Sequence, residues 1–113
     1  MQILSGVEYI HGRGIAHRDL KLKNLFIGKD YNVKIADFGI SKIFGDFGLL
    51  TTRIGSEGFK PPEMYSLPPG VPYEGPPVDI FALGVILFTI LTCKNPFDSA
   101  GEANGNYRRL FQN

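Results

Sequence analysis

Cysteine is nearly missing: the single Cys93 excludes an intrachain disulfide, and no Cys/His cluster has the spacing of a zinc site. A reducing compartment is the default expectation, cytoplasmic with the nucleus left open. Neither sign of charge is in excess, since 12 basic and 11 acidic side chains leave a formal charge of +1. No strong field therefore recruits nucleic acid or an acidic membrane face. Residues Met1 to Ile10 carry Glu8 and no basic stretch ahead of an apolar one, so they do not read as a signal peptide. The longest apolar run, Ile80 to Ile90, is broken by Gly84 and Thr89 and continues to Cys93. It falls short of the ~18 to 20 residues of a membrane span and reads as a buried core helix. What remains is a globular composition, 113 residues with 43% hydrophobic, enough for one small domain.

Ile3, Leu4, Val7 and Ile10 recur at helical spacing and Gly12 and Gly14 close the pattern, which predicts an amphipathic helix over 2–12. The period then changes. Asn24 to Ile27 and Val33 to Ala36 are short strand-like runs, and the turn chemistry of Gly28 to Asn32 between them predicts a small hairpin. From Asp37 to Glu63, glycines at 39, 45, 48, 55 and 58 and the lack of any period predict a long irregular segment of the kind that is functional or disordered. A proline-rich connector, 67–77, leads to the apolar helix, expected to begin near Val78 and to stop around Cys93 to Asn95 ahead of Pro96. A last short helix is expected over 103–112.

The decisive stretch is His17-Arg18-Asp19-Leu20-Lys21-Leu22-Lys23-Asn24, followed by Asp37-Phe38-Gly39 at the end of the second strand-like run. Each motif alone is weak; their order and context carry the weight. The arrangement resembles the catalytic loop and DFG motif of eukaryotic-type protein kinases. The resemblance extends through Gly55-Ser56-Glu57-Gly58-Phe59-Lys60-Pro61-Pro62-Glu63, similar to the substrate-site loop, and through Asp79 to Thr92, similar to the central F helix. Lys21, two residues after Asp19, together with Ser56 after Gly55, is the pattern of the serine/threonine members. The fold class implied is the α+β kinase fold, of which this chain would be a mainly helical partial C-lobe with a small β-hairpin and a long activation segment. Residues 1–113 would run from the E helix to about the G helix.

Phosphoryl transfer demands positioning and charge neutralisation more than covalent help. By resemblance, Asp37 and Asn24 would hold Mg²⁺ at the phosphates of ATP through hard oxygen ligands. Asp19 would take the proton of a protein substrate's hydroxyl, and Lys21 would sit against the transferred phosphate. By the same resemblance Phe26 would occupy the floor of the adenine site, and Ser56 would bridge Asp19 and Lys21; without the resemblance Ser56 is an ordinary turn serine. Arg18 resembles the arginine that receives an activation-loop phosphate. Thr52 is the candidate for that phosphate, with modification of Thr51, or of neither, as the alternatives. His17 would pack beneath Phe38, Gly39 would complete the DFG turn, and Glu63 would pair with a later arginine. Asp79 is either a charge favourable to the helix dipole or, by resemblance, an anchor for the loop near Arg18. His11 shows no partner in the sequence, and Cys93 reads as a small core residue.

Set against the family pattern, Leu22 departs from the usual proline, Phe26 from a smaller aliphatic floor and Pro61 from an alanine, the proline being expected at the first turn of a short helix, where it is tolerated. The glycine-rich phosphate loop, strand lysine and hinge of an N-lobe do not occur in these residues, nor does the later arginine expected to pair with Glu63. Two functions of different class therefore stand: part of an ATP-dependent serine/threonine kinase, or a truncated, non-catalytic piece that at most binds kinase partners. No nucleic-acid or membrane partner is expected. The helix over 78–93 is apolar nearly all round, so any part of it left uncovered would promote association and a molten or poorly soluble state.

Overall fold

Ile3, Val7 and Ile10 share one stripe of helix α1 (Gln2–Gly12), and all three are buried. The helix closes with Arg13 N–H donating to Ile10 O and Gly14 N–H to His11 O, and Gly14 takes the left-handed φ of 76° that glycine accepts without strain. These elements belong to a computed structural model that describes residues 2–45 and 48–96; the helix expected over 103–112 lies outside the described residues.

The chain then forms β1 (Ile15–Ala16), a loop, a 3₁₀ turn (Leu22–Asn24), and the hairpin of β2 (Leu25–Ile27) and β3 (Val33–Ile35). Leu25 pairs with Ile35, Phe26 with Lys34 and Ile27 with Val33. Gly28 N–H donates to Asn32 O across the turn, and Asp30 accepts from both the backbone and side-chain nitrogens of Asn32. Those bonds to Asn32 hold the Asp30 carboxyl below the usual aspartate range. One further bond, Ala36 N–H to Asn24 O at 2.8 Å, extends the hairpin register. It sets Asn24 at the same end as Asp37.

The segment 37–63 is less irregular than its sequence suggests. Its β4 (Lys42–Ile43) pairs antiparallel with β1, and its β5 (Leu49–Leu50) pairs with β6 (Tyr73–Glu74), which lies within the proline-rich connector. Strands of two residues carry no alternation to read, and their partners are distant in sequence. Pro61 precedes the short helix α2 (Glu63–Ser66) instead of opening it, and its carbonyl accepts from Met64 N–H.

Helix α3 spans Gly75–Thr92, three residues earlier than the apolar pattern implies. Pro76 and Pro77 fall in the first turn, where a missing N–H removes no helical bond. The helix ends at Cys93, left-handed with φ 58°, whose N–H donates to Thr89 O. Cys93 is exposed, so it is a terminal residue and not a core one. Being 18 residues long, α3 does reach the length and apolar character of a membrane span. One face of it is packed: Ala82, Leu83 and Ile86 join Ile3, Val7 and Leu20 in one core, and the charged Asp79 is wholly buried. A second core gathers Ala16, Leu50, Met64, Tyr73 and Val78. The opposite face of α3 is open, with Ile80 53%, Ile90 51% and Leu91 75% exposed. The described chain is thus a small α+β unit of three α-helices and paired short strands.

Candidate active site

Between β1 and the 3₁₀ turn Arg18 adopts φ 70°, a left-handed conformation uncommon for a side chain of its size. Such a conformation persists only when its surroundings fix it. Asp79, in the first turns of α3, does so: its Oδ2 accepts His17 N–H and its Oδ1 accepts Arg18 N–H, each at 2.9 Å. His11 Nε2 lies 2.7 Å from the same Oδ2. The carboxylate therefore binds the loop and is not a free charge at a helix end. His11, expected to lack a partner, is the third group on it.

His17 is fully buried and carries the loop to the next segment. Its Nδ1 accepts Asp19 N–H at 3.1 Å, which leaves Nε2 to donate to Ala36 O at 2.8 Å. The ring meets Phe38 edge to face, with centroids 4.7 Å apart. The ring of one residue thus ties Asp19 to the turn that holds Asp37, while its main-chain N–H ties the loop to Asp79.

Ser56 comes to Asp19 from 37 residues away. Its hydroxyl donates to Asp19 Oδ1 at 2.5 Å and accepts from Lys21 Nζ at 2.9 Å, while Nζ stands 3.9 Å from the same carboxylate oxygen. Gly55 makes this approach possible: its φ is 136°, and a Cβ there would sit 3.0 Å from Arg18 O. Asn24 spends its amide nitrogen on Asp19 O at 2.7 Å and on Asp19 Oδ2 at 3.4 Å. Its amide oxygen has no hydrogen bond among the described residues.

Asp37 is exposed at φ 57°, and its Oδ1 accepts only Gly39 N–H, at 3.2 Å, among the described residues. These two oxygen donors fit Mg²⁺, which takes one or two protein oxygens and completes its shell with water and substrate phosphates. No group of three His, Cys, Asp or Glu side chains suited to a metal ion occurs among the described residues. Phe26 presents an open apolar surface on the neighbouring hairpin, 57% exposed.

Arg18 turns its guanidinium the other way, Nε donating to Ile40 O at 2.9 Å and Nη1 to the Tyr73 hydroxyl at 3.3 Å. The Tyr73 hydroxyl in turn donates to Thr52 O at 2.6 Å. Thr52 is exposed. Arg53 holds the same stretch from the other side, donating to the carbonyls of Thr51, Pro68 and Val71 and lying 5.1 Å over the Tyr73 ring. Tyr73, Arg53 and His11 escape a reading of motifs, because each acts on a partner that only the fold brings near. Glu63 lies at the start of α2, half-buried and apart from these contacts.

Residues 1–112 match the family described as "Protein kinase domain". The chain is 49% identical over 109 residues to the probable serine/threonine-protein kinase KCC4 of Saccharomyces cerevisiae, covering 96% of this chain and 10% of that protein. It is 47% identical to the serine/threonine-protein kinase GIN4 of the same yeast, over 96% of this chain and 9% of the relative. To the NUAK family SNF1-like kinase 1 of Homo sapiens it is 44% identical, over 98% of this chain and 17% of the relative. The chain thus spans less than a fifth of the length of these relatives, while its own length is matched almost throughout. It belongs to the protein kinase domain family.

Proposed function

We propose that this chain is the catalytic-loop and activation-segment portion of a serine/threonine protein kinase, a part of its C-lobe, working in a cytoplasmic or nuclear setting on protein substrates. The observation that carries the reading is the Ser56 hydroxyl held between Asp19 Oδ1 and Lys21 Nζ. A substrate hydroxyl entering beside Ser56 meets the carboxylate that orients it and takes its proton. Lys21 supplies positive charge at the transferred group, where charge changes most during transfer. Asn24 and Asp37 are the residues that would hold Mg²⁺ on ATP, which neutralises the phosphate charge and supplies the phosphoryl group. Phe26 offers an apolar floor for the adenine ring.

The test is Mg²⁺- and ATP-dependent phosphorylation of a generic basic protein by the expressed protein, lost in Asp37→Asn. Persistence of transfer in that variant would remove Asp37 from the metal site. A second reading, a non-catalytic piece that binds kinase partners, draws on the open apolar face of α3. Transfer absent under all conditions, with retained association to a kinase partner, would favour it.

A further inference from the structure

The residue after Ser56 is Glu57, and each oxygen of its carboxylate has a polar side-chain partner. Lys60 Nζ lies 2.7 Å from Glu57 Oε1, and the Tyr65 hydroxyl donates to Glu57 Oε2 at 2.6 Å. Lys60 Nζ also sits 5.1 Å over the Tyr65 ring. The two charges are not equally presented: the Lys60 side chain is 18% exposed and that of Glu57 62%. The Lys60 stem is turned inward against Gly55, where a Cβ would meet its Cγ at 3.0 Å. Phe59, the one large apolar side chain of the loop, packs on the α3 core and is not offered to a ligand.

We propose that Glu57, braced by Lys60 and Tyr65, reads a lysine or arginine of the peptide substrate close to its acceptor hydroxyl, an inference that rests on the protein-kinase reading above. Adjacent α-carbons are about 3.8 Å apart, and an extended peptide advances about 3.3 to 3.6 Å per residue. A peptide whose hydroxyl reaches Asp19 beside Ser56 therefore carries side chains within about three residues of that hydroxyl past Glu57. The face they meet is the outward carboxylate. Its hydrogen bonds to Lys60 and Tyr65 hold it ionised below the usual glutamate range. Each of its oxygens has one partner and a lone pair to spare, the pattern a guanidinium fork satisfies.

Binding decides the matter without requiring transfer. Fluorescent peptides identical except for Arg, Leu or Glu beside a single serine are titrated into the expressed protein and followed by anisotropy at low salt. The expected order is Arg, then Leu, then Glu, with about a two- to five-fold preference for Arg over Leu, as for an exposed ion pair. Glu57→Gln should abolish that preference and Glu57→Lys should favour the Glu peptide; the exposed position makes both substitutions tolerable to the fold. An order unchanged by either variant, or no measurable binding of any peptide, overturns the proposal. Phosphorylation of the same peptides is run in parallel. Binding with the expected order but no transfer to any peptide speaks against the kinase reading and leaves the Glu57 site standing.

Discussion

The buried carboxylate of Asp79 accepts the main-chain N–H of Arg18 at 2.9 Å, across 61 positions of sequence. One helix thereby sets the conformation of a loop it does not adjoin in the chain. Asp79→Ala would leave the His17 and Arg18 N–H groups buried without an acceptor and His11 without its partner. At about 1 to 3 kcal/mol for each of the two buried N–H groups, a loss of roughly 2 to 6 kcal/mol is expected in denaturant unfolding. Asp79→Asn, with one acceptor oxygen, should lose less. Equal stability of the alanine variant and the parent would show that the loop holds itself.

Gly55 sits under a similar constraint. Its φ of 136° strains any other residue, and the 3.0 Å between a built Cβ and Arg18 O crowds a methyl group against main chain. Gly55→Ala should cost about 1 to 3 kcal/mol of strain and draw Ser56 away from Asp19. Thermal melts report the first effect. Phosphoryl transfer, measured alongside, should fall about a hundredfold for a displacement of about 1 Å. Unaltered values of both would show that the segment shifts freely.

Thr52 is exposed while its carbonyl is held by Tyr73, and Tyr73 is held by Arg18. We propose Thr52 as the phosphorylated residue of this segment; a phosphate there adds about −1.5 to −2 charges near Arg18 and Arg53. Phosphorylated protein should resist proteolysis between residues 40 and 60, and Thr52→Ala should lower activity. Mass spectrometry showing Thr52 unmodified in active protein, with Thr52→Ala fully active, would sink the assignment.

The open face of α3 carries Ile80, Leu87, Ile90 and Leu91, each at least 45% exposed. A chain of these 113 residues alone should bind an apolar-sensitive dye and associate as its concentration rises. Leu91→Lys with Ile90→Lys should reduce both. A sharp cooperative melt at 37 °C or above without dye binding would show that the face is covered.

Helix α1, the β2–β3 hairpin and the apolar helix were legible in the sequence because periodicity and turn chemistry are local. So were the groups proposed above to carry the chemistry, Asp19, Lys21, Asn24 and Asp37, because their spacing is a motif read within two short stretches of chain. The start of α3 is hidden from the sequence because prolines end most helical patterns, yet Pro76 and Pro77 sit where a helix tolerates them. Tertiary structure alone decided that His11 joins Asp79, that Tyr73 links Arg18 to Thr52, and that the two-residue strands of segment 37–63 find distant partners. Those contacts span 21 to 68 positions for the side chains named. A local pattern records what a residue wants to be near, and only the folded core determines which distant group supplies it.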